Sequence, residues 1–185
     1  MKQLKMENIL IPKNPASGKN ERFTDFPQTD ERDRKPFKSC VFTGHRQLDK
    51  DFSPKAMTDA IDQAVAQGVE IFYNGMAMGF DLLAAEYVLT LKKIHPCLKL
   101  IACIPCYGQE KAFPDEDKAR YVAVLKRADE QVLLSQEYFR GCMQNRDRYM
   151  ADRADMMIAY CRKKTGGAAY TVKYFSKTEK PILFI

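Results

Sequence analysis

CVFTGHRQLD, residues 40–49, begins as a buried strand and ends as a turn. Cys40-Val41-Phe42 is a short apolar run that stops at Thr43-Gly44-His45-Arg46. Glycine permits a sharp turn and lets backbone N–H groups come close to a ligand. Arg46 offers a forked guanidinium suited to phosphate or carboxylate, and His45 is one of only two histidines. The same residues also suit an ordinary turn with solvated His and Arg. The stretch therefore speaks to the fold before it speaks to function.

Read outward, the rhythm of apolar run, loop and amphipathic segment repeats five times. Strands are expected at 39–43, 69–73, 98–104, 130–134, 155–160 and 181–185, and helices at 54–67, 80–94, 115–128, about 141–153 and 167–177. Pro54 suits a first helical turn, Gly68 closes that helix, and His95-Pro96 closes the next. The strands are near-continuous apolar runs, as in a sheet buried on both faces. Such alternation specifies an α/β fold: a single Rossmann-like domain over 38–185, with a mostly parallel sheet flanked by helices on both faces. Residues 1–37, rich in Lys, Asn, Pro, Asp and Arg, show no sustained period and read as an extended or disordered N-terminal arm.

Composition narrows the function classes. The 185 residues are 45% hydrophobic and 29% charged, a globular mixture. No window approaches the roughly 20 apolar residues of a membrane span, and Ile9-Leu10-Ile11 is too short for a signal-peptide core. A cytoplasmic location is the expectation. The net charge of +6 includes an N-terminal share of nine Lys and Arg against six Asp and Glu in residues 1–38. That mixture attracts anions weakly and falls short of a nucleic-acid footprint. The six cysteines are scattered, with Cys103-Ile-Pro-Cys106 the one close pair. It lies in a strand-like run and lacks further ligands at zinc spacing, so buried reduced thiols are expected and no metal site.

In an open parallel sheet, ligands bind beyond the carboxyl ends of the strands. The loops there are the candidates. The second is Asn74-Gly75-Met76-Ala77-Met78-Gly79-Phe80-Asp81, whose glycines would let a phosphate or sugar approach the amides of a helix N-terminus. Asp81 has two open uses, capping that helix or accepting a ribose hydroxyl. The loop after the third strand runs from Pro105 to about residue 114, and its Tyr107 has the ring to stack on a base. The last loop places Gly166-Gly167 after Arg162-Lys163-Lys164, a second prospective phosphate cradle. GxGxxG is absent after the first strand, which argues against ordinary NAD binding.

The set FTGHR, NGMAMGFD, NRDRYMADRAD and TGGAAYTVKYF resembles the YpsA-like family of the SLOG superfamily, which also holds the LOG proteins and the DNA-processing protein DprA. The resemblance covers roughly residues 38–185. It implies a Rossmann-like domain that binds a nucleotide or a nucleotide-derived, ADP-ribose-like molecule. By position, Thr43, Gly44, His45 and Arg46 would shape the first ligand loop, and Asn74, Gly75, Gly79 and Asp81 the second. Asn145 and Arg146 would supply a polar and basic pair, and Gly166, Gly167 and Thr171 would hold phosphate. LOG enzymes cleave the base–ribose bond of nucleoside monophosphates and carry GGxGTxxE. Here Lys173 stands in place of that glutamate, and Asn145-Arg146 replaces an Arg-plus-Lys set.

The reading therefore favours a sensor or regulatory binding domain, with no certain cofactor, over catalysis. An N-glycosidase acting on nucleoside monophosphates is the alternative, with Asp81 as its acid–base group. A DprA-like single-stranded nucleic-acid or partner-binding module is a second. It is disfavoured for want of an aromatic stacking platform. SLOG domains often pair, so a homodimer is open. The methionines at 143, 150, 156 and 157 are expected in the core.

Overall fold

The structure, a computed structural model, describes residues 37–185; residues 1–36 of the expected arm lie outside the described residues. Six strands form one sheet in the order β4-β3-β2-β1-β5-β6, and every pairing is parallel. The elements follow one another as β1 (Ser39–Gly44), α1 (Pro54–Ala66), β2 (Ile71–Asn74), α2 (Phe80–Leu91), β3 (Lys99–Ile104) and α3 (Asp115–Leu125). They continue with β4 (Glu130–Leu133), α4 (Cys142–Arg153), β5 (Met156–Tyr160), α5 (Gly167–Phe175) and β6 (Ile182–Phe184). This is a Rossmann-like α/β fold.

Local chemistry fixes the ends of these elements. Ser53 Oγ accepts from the Ala56 N–H at 3.1 Å, and Pro54 occupies the first turn of α1. Beyond α1, Gly68 takes a positive φ of 96°. Strand β2 then begins at Ile71 rather than at the expected residue 69, because the Glu70 and Ile71 N–H groups both turn to the Lys38 carbonyl. The loop after β3 contains a short 3-10 turn, Gln109–Ala112, which was not expected.

Successive strands β1 to β4 step in one direction, so right-handed crossovers put α1, α2 and α3 on one face. Phe42, Phe72 and Phe80 pack there, with the first two rings stacked at 5.5 Å. The chain then returns across the sheet to place β5 beside β1, and α4 and α5 pack together on the other face. Val41, Ile101, Cys103, Met150, Met157, Val172 and Phe175 fill that side. Met150, Met156 and Met157 are buried, and Met143 is half-buried. Burial on both faces holds for the central strands. At the edge it fails: Glu130 and Gln131 of β4 are exposed, and β6 is only half-buried.

The amino ends of β1 and β5 are clamped by one carboxylate. Asp155 Oδ2 accepts from the Lys38 N–H (3.0 Å), the Ser39 N–H (3.0 Å) and the Ser39 hydroxyl (2.9 Å). The carboxyl ends of the same two strands flank the point where the strand order reverses. In open α/β sheets that switch point is where ligands sit.

Candidate functional site

At the switch point the first and last loops are joined by a hydrogen bond. The Arg162 N–H donates to His45 Nε2 at 2.8 Å. Nε2 is thereby the acceptor, so the neutral imidazole carries its proton on Nδ1. Burial, followed by the Lys163 charge, holds His45 below its ordinary pKa, while Asp49 pulls the other way. His45 therefore serves as a neutral, oriented ring. Beneath it lies the buried Tyr160, edge to face at 5.5 Å, with the Arg162 guanidinium 5.2 Å from the Tyr160 ring centre. Arg162 escaped the sequence reading as a site residue; its signal was its place between β5 and the Gly-Gly pair.

The first and second loops interlock through backbone. The Phe80 N–H donates to the His45 carbonyl at 3.2 Å. Gly79 has φ 78°, and a Cβ there would stand 2.3 Å from the Arg46 carbonyl oxygen. Gly44 is as tightly held, since a Cβ would meet the Phe80 ring at 2.3 Å. Thr43 is buried in the ladder opposite Ala159.

Under the second loop sits a buried polar cluster. Asn74 donates through Nδ2 to the Asp81 carbonyl at 2.8 Å and accepts at Oδ1 from the Met76 N–H at 2.7 Å. Met76 consequently adopts φ 56°, an uncommon conformation for a side-chain-bearing residue. Asp81 Oδ2 accepts from the Ala77 N–H at 3.4 Å, and Oδ1 is buried without a partner. Burial pushes the Asp81 carboxyl up to about 7, against the pull of the Arg146 charge. Asp81 is in the first turn of α2, whose N-cap Gly79 makes no side-chain cap.

Arg146 reaches this cluster from α4. Its Nε donates to Asp147 at 2.7 Å and its Nη1 to the Gly75 carbonyl. A Cβ on Gly75 would collide with that guanidinium. Arg146 is only 6% exposed, so it underpins the Gly75 turn from inside. Asn145, half-buried, precedes it in the first turn of α4. Gln109, which the sequence reading did not single out, donates through Nε2 to the carbonyls of Gly75 (3.1 Å) and Met76 (2.6 Å). Its signal was the length of the loop after β3.

The third glycine-rich loop differs from the other two. Gly166 and Gly167 are exposed, and a Cβ on either would meet nothing within 4 Å. The start of α5 is therefore uncrowded at these two glycines, with Lys163 and Lys164 exposed nearby in sequence. Thr171 is buried, and its hydroxyl donates to the Gly167 carbonyl at 2.9 Å. Arg46 is exposed and, among the described residues, forms no salt bridge; its charge acts on Asp81. Glu86, by contrast, points away and pairs with Arg120 of α3.

The loops of β5, β1, β2 and β3, with α4, are thus connected by direct hydrogen bonds along one rim. The model of the YpsA family, described as the YspA SLOG family, matches residues 35–183. The chain belongs to this family. Among its relatives, UPF0398 protein YpsA of Bacillus subtilis is 28% identical over 160 residues, covering 82% of this chain and 87% of that protein. The SPbeta prophage-derived protein YoqJ of the same organism is 29% identical over 119 residues, covering 58% of this chain and 70% of YoqJ.

Solved structures extend the likeness in fold. DNA processing protein A (DprA) from Streptococcus pneumoniae superposes with a TM-score of 0.58 at 18% identity, over 80% of this chain and 50% of that one. DprA from Helicobacter pylori, whose structure concerns its single-stranded DNA binding mode, gives 0.56 at 18% identity over 80% and 64%. The chain spans only half to two thirds of these proteins. Two other sequence readings meet the structure here. All six cysteines are free, five of them buried and Cys97 exposed. The reading found no aromatic stacking platform, yet Tyr107, Tyr138 and Phe139 stand exposed on the rim.

Proposed function

We propose that the crevice between the carboxyl ends of β1 and β5 binds a phosphate-bearing, nucleotide-derived small molecule, and that the domain acts as a sensor or regulatory module. The bond from the Arg162 N–H to His45 Nε2 carries this reading. It ties two loops that are distant in sequence at the switch point of the sheet, where α/β folds take ligands. Arg46 and Lys163 bring positive charge, and the exposed start of α5 at Gly166 and Gly167 brings the partial charge of a helix N-terminus. Asp81 Oδ1, buried and unpartnered, suits a ribose hydroxyl. Asn74, Gly75, Gly79, Arg146 and Thr171 hold the surrounding turns in shape. A phosphate-free nucleoside should bind at least tenfold more weakly than its phosphorylated form in calorimetric titration. Equal affinity for the two would contradict the assignment.

One observation favours a second reading. A carboxyl with a pKa near 7 is suited to give and take protons at neutral pH. Asp81 would then act as the acid–base group of an N-glycosidase. Incubation with AMP, GMP and CMP decides this: release of free base above a protein-free control, lost in Asp81→Asn, supports it, and no release removes it.

A further inference from the structure

Three of the five large apolar side chains that are exposed among the described residues occupy one part of the rim: Tyr107 (66% exposed), Tyr138 (71%) and Phe139 (46%). Parallel pairing of β3 with β4, from Ile101 with Glu130 to Ile104 with Leu133, delivers their two loops to the same edge. The Leu134 N–H continues the ladder to the Ile104 carbonyl at 2.9 Å. Just beyond, the buried Cys106 and Cys142 thiols are close neighbours. Tyr107 follows Cys106 directly, and the Phe139 carbonyl accepts from the Cys142 N–H at 3.0 Å. The three rings thus flank one buried thiol contact.

Their backbones are pinned. Gln109 ties the Tyr107 loop to the Gly75 turn, and Ser135 Oγ closes the turn before Tyr138 by donating to the Glu137 carbonyl at 2.7 Å. Rigid backbone presenting open rings is what base stacking uses, and it is sequence-tolerant because every base has a π-face. Lys111 and Arg140 are exposed beside the rings, balanced by Glu110 and Glu137. The net positive charge lies further along the same rim, at Arg46, Arg162, Lys163 and Lys164. Strands are about 4.8 Å apart, so β3 stands roughly 10 Å from β1 and 15 Å from β5.

We propose that Tyr107, Tyr138 and Phe139 form a stacking platform for the bases of a single-stranded nucleic acid, whose backbone runs along the rim toward the basic crevice. The openness of the rings favours a strand over a small molecule, because small-molecule pockets enclose most of their ligand. The inference goes beyond the small-molecule reading and is tested on different residues.

The experiment is fluorescence anisotropy of a labelled oligo-dT strand with the full chain at low salt. Tyr107→Ala and Tyr138→Ala should each weaken binding about tenfold, while Tyr107→Phe keeps wild-type affinity. Duplex DNA of the same length should compete poorly. Circular dichroism and the melting temperature of each variant verify that the fold is kept. Wild-type chain that ignores the strand overturns the proposal. Alanine variants that bind as wild type, or duplex that competes equally, also overturn it, since charge alone would then be responsible. If the alanine variants instead abolish a concentration-dependent dimer and leave the strand's affinity unchanged, the patch is a self-association surface and the proposal fails. Small-nucleotide binding that survives in the tyrosine variants separates this outcome from the crevice reading.

Discussion

Gly79 and Gly167 look alike in the sequence, each beside a helix start, yet they do different work. Gly79 has a positive φ, and the Arg46 carbonyl blocks the space a side chain would need. Gly79→Ala is expected to cost about 2 kcal/mol or more in chemical denaturation, because backbone cannot move aside as a flexible side chain can. Gly167 faces open space, so Gly167→Ala should leave stability within about 0.5 kcal/mol of wild type. The same substitution should weaken an anionic ligand that approaches the α5 amides. Asp81 makes a pH prediction. Its folded carboxyl titrates near 7, against an ordinary value of 3.8. Between these values the folded chain keeps a proton that the unfolded chain has released. Its contribution to stability is therefore full below about pH 4 and declines as pH rises through 7. Asp81→Asn does not titrate, so its stability relative to wild type should improve from pH 5 to pH 8. A constant difference across that range would refute the assignment. The glycines themselves were legible in the sequence; which were crowded and which open was not, because the crowding atoms belong to Phe80, Arg146 and the Arg46 backbone, brought in by the fold.

At the scale of elements, the hydrophobic rhythm identified every strand and α-helix among the described residues, since burial dictates that pattern directly. Ends were less legible. Helix α3 was expected to reach residue 128 and stops at Leu125, beyond which the Arg127 and Ala128 N–H groups both turn to the Val124 carbonyl. The 3-10 turn at Gln109–Ala112 is too short to impose a period, and Gly108, at φ 77°, begins it. The Asp155 clamp was invisible for another reason: its partners lie 116 and 117 positions away. Asp155→Ala leaves the Lys38 and Ser39 N–H groups without their acceptor, while the Ser39 hydroxyl keeps the Arg153 carbonyl, and should cost about 1–3 kcal/mol. Glu86→Ala removes the half-buried partner of Arg120 between α2 and α3 and should cost about 1 kcal/mol or less. A denaturant series comparing the two variants tests whether burial and donor count, rather than formal charge pairing, hold these elements together.

For the whole molecule, the parallel α/β class followed from alternation alone, but the strand order did not. Any one of the long connections could have reversed the winding. The chain does so after β4, and only this choice sets β5 beside β1 and Arg162 against His45. TGHR, the paired-glycine loop and the Gly-Gly loop were therefore recognisable one by one, while the network joining them came from topology. Gln109 and Arg162 entered the site the same way, as links between loops rather than as motif residues. The central claim is that this joined rim holds a phosphate-bearing ligand. Its most direct test is the melting temperature of the full chain, and of Arg46→Ala, across a panel of nucleotides and ADP-ribose at millimolar concentration. A ligand about 100-fold above its Kd stabilises by about 2.7 kcal/mol. At about 2 °C or more per kcal/mol for a chain this size, the shift should reach about 5 °C. At least one phosphorylated compound should raise the melting temperature of wild type by that amount and leave Arg46→Ala nearly unmoved. A panel that shifts neither protein, or shifts both equally, would contradict the account.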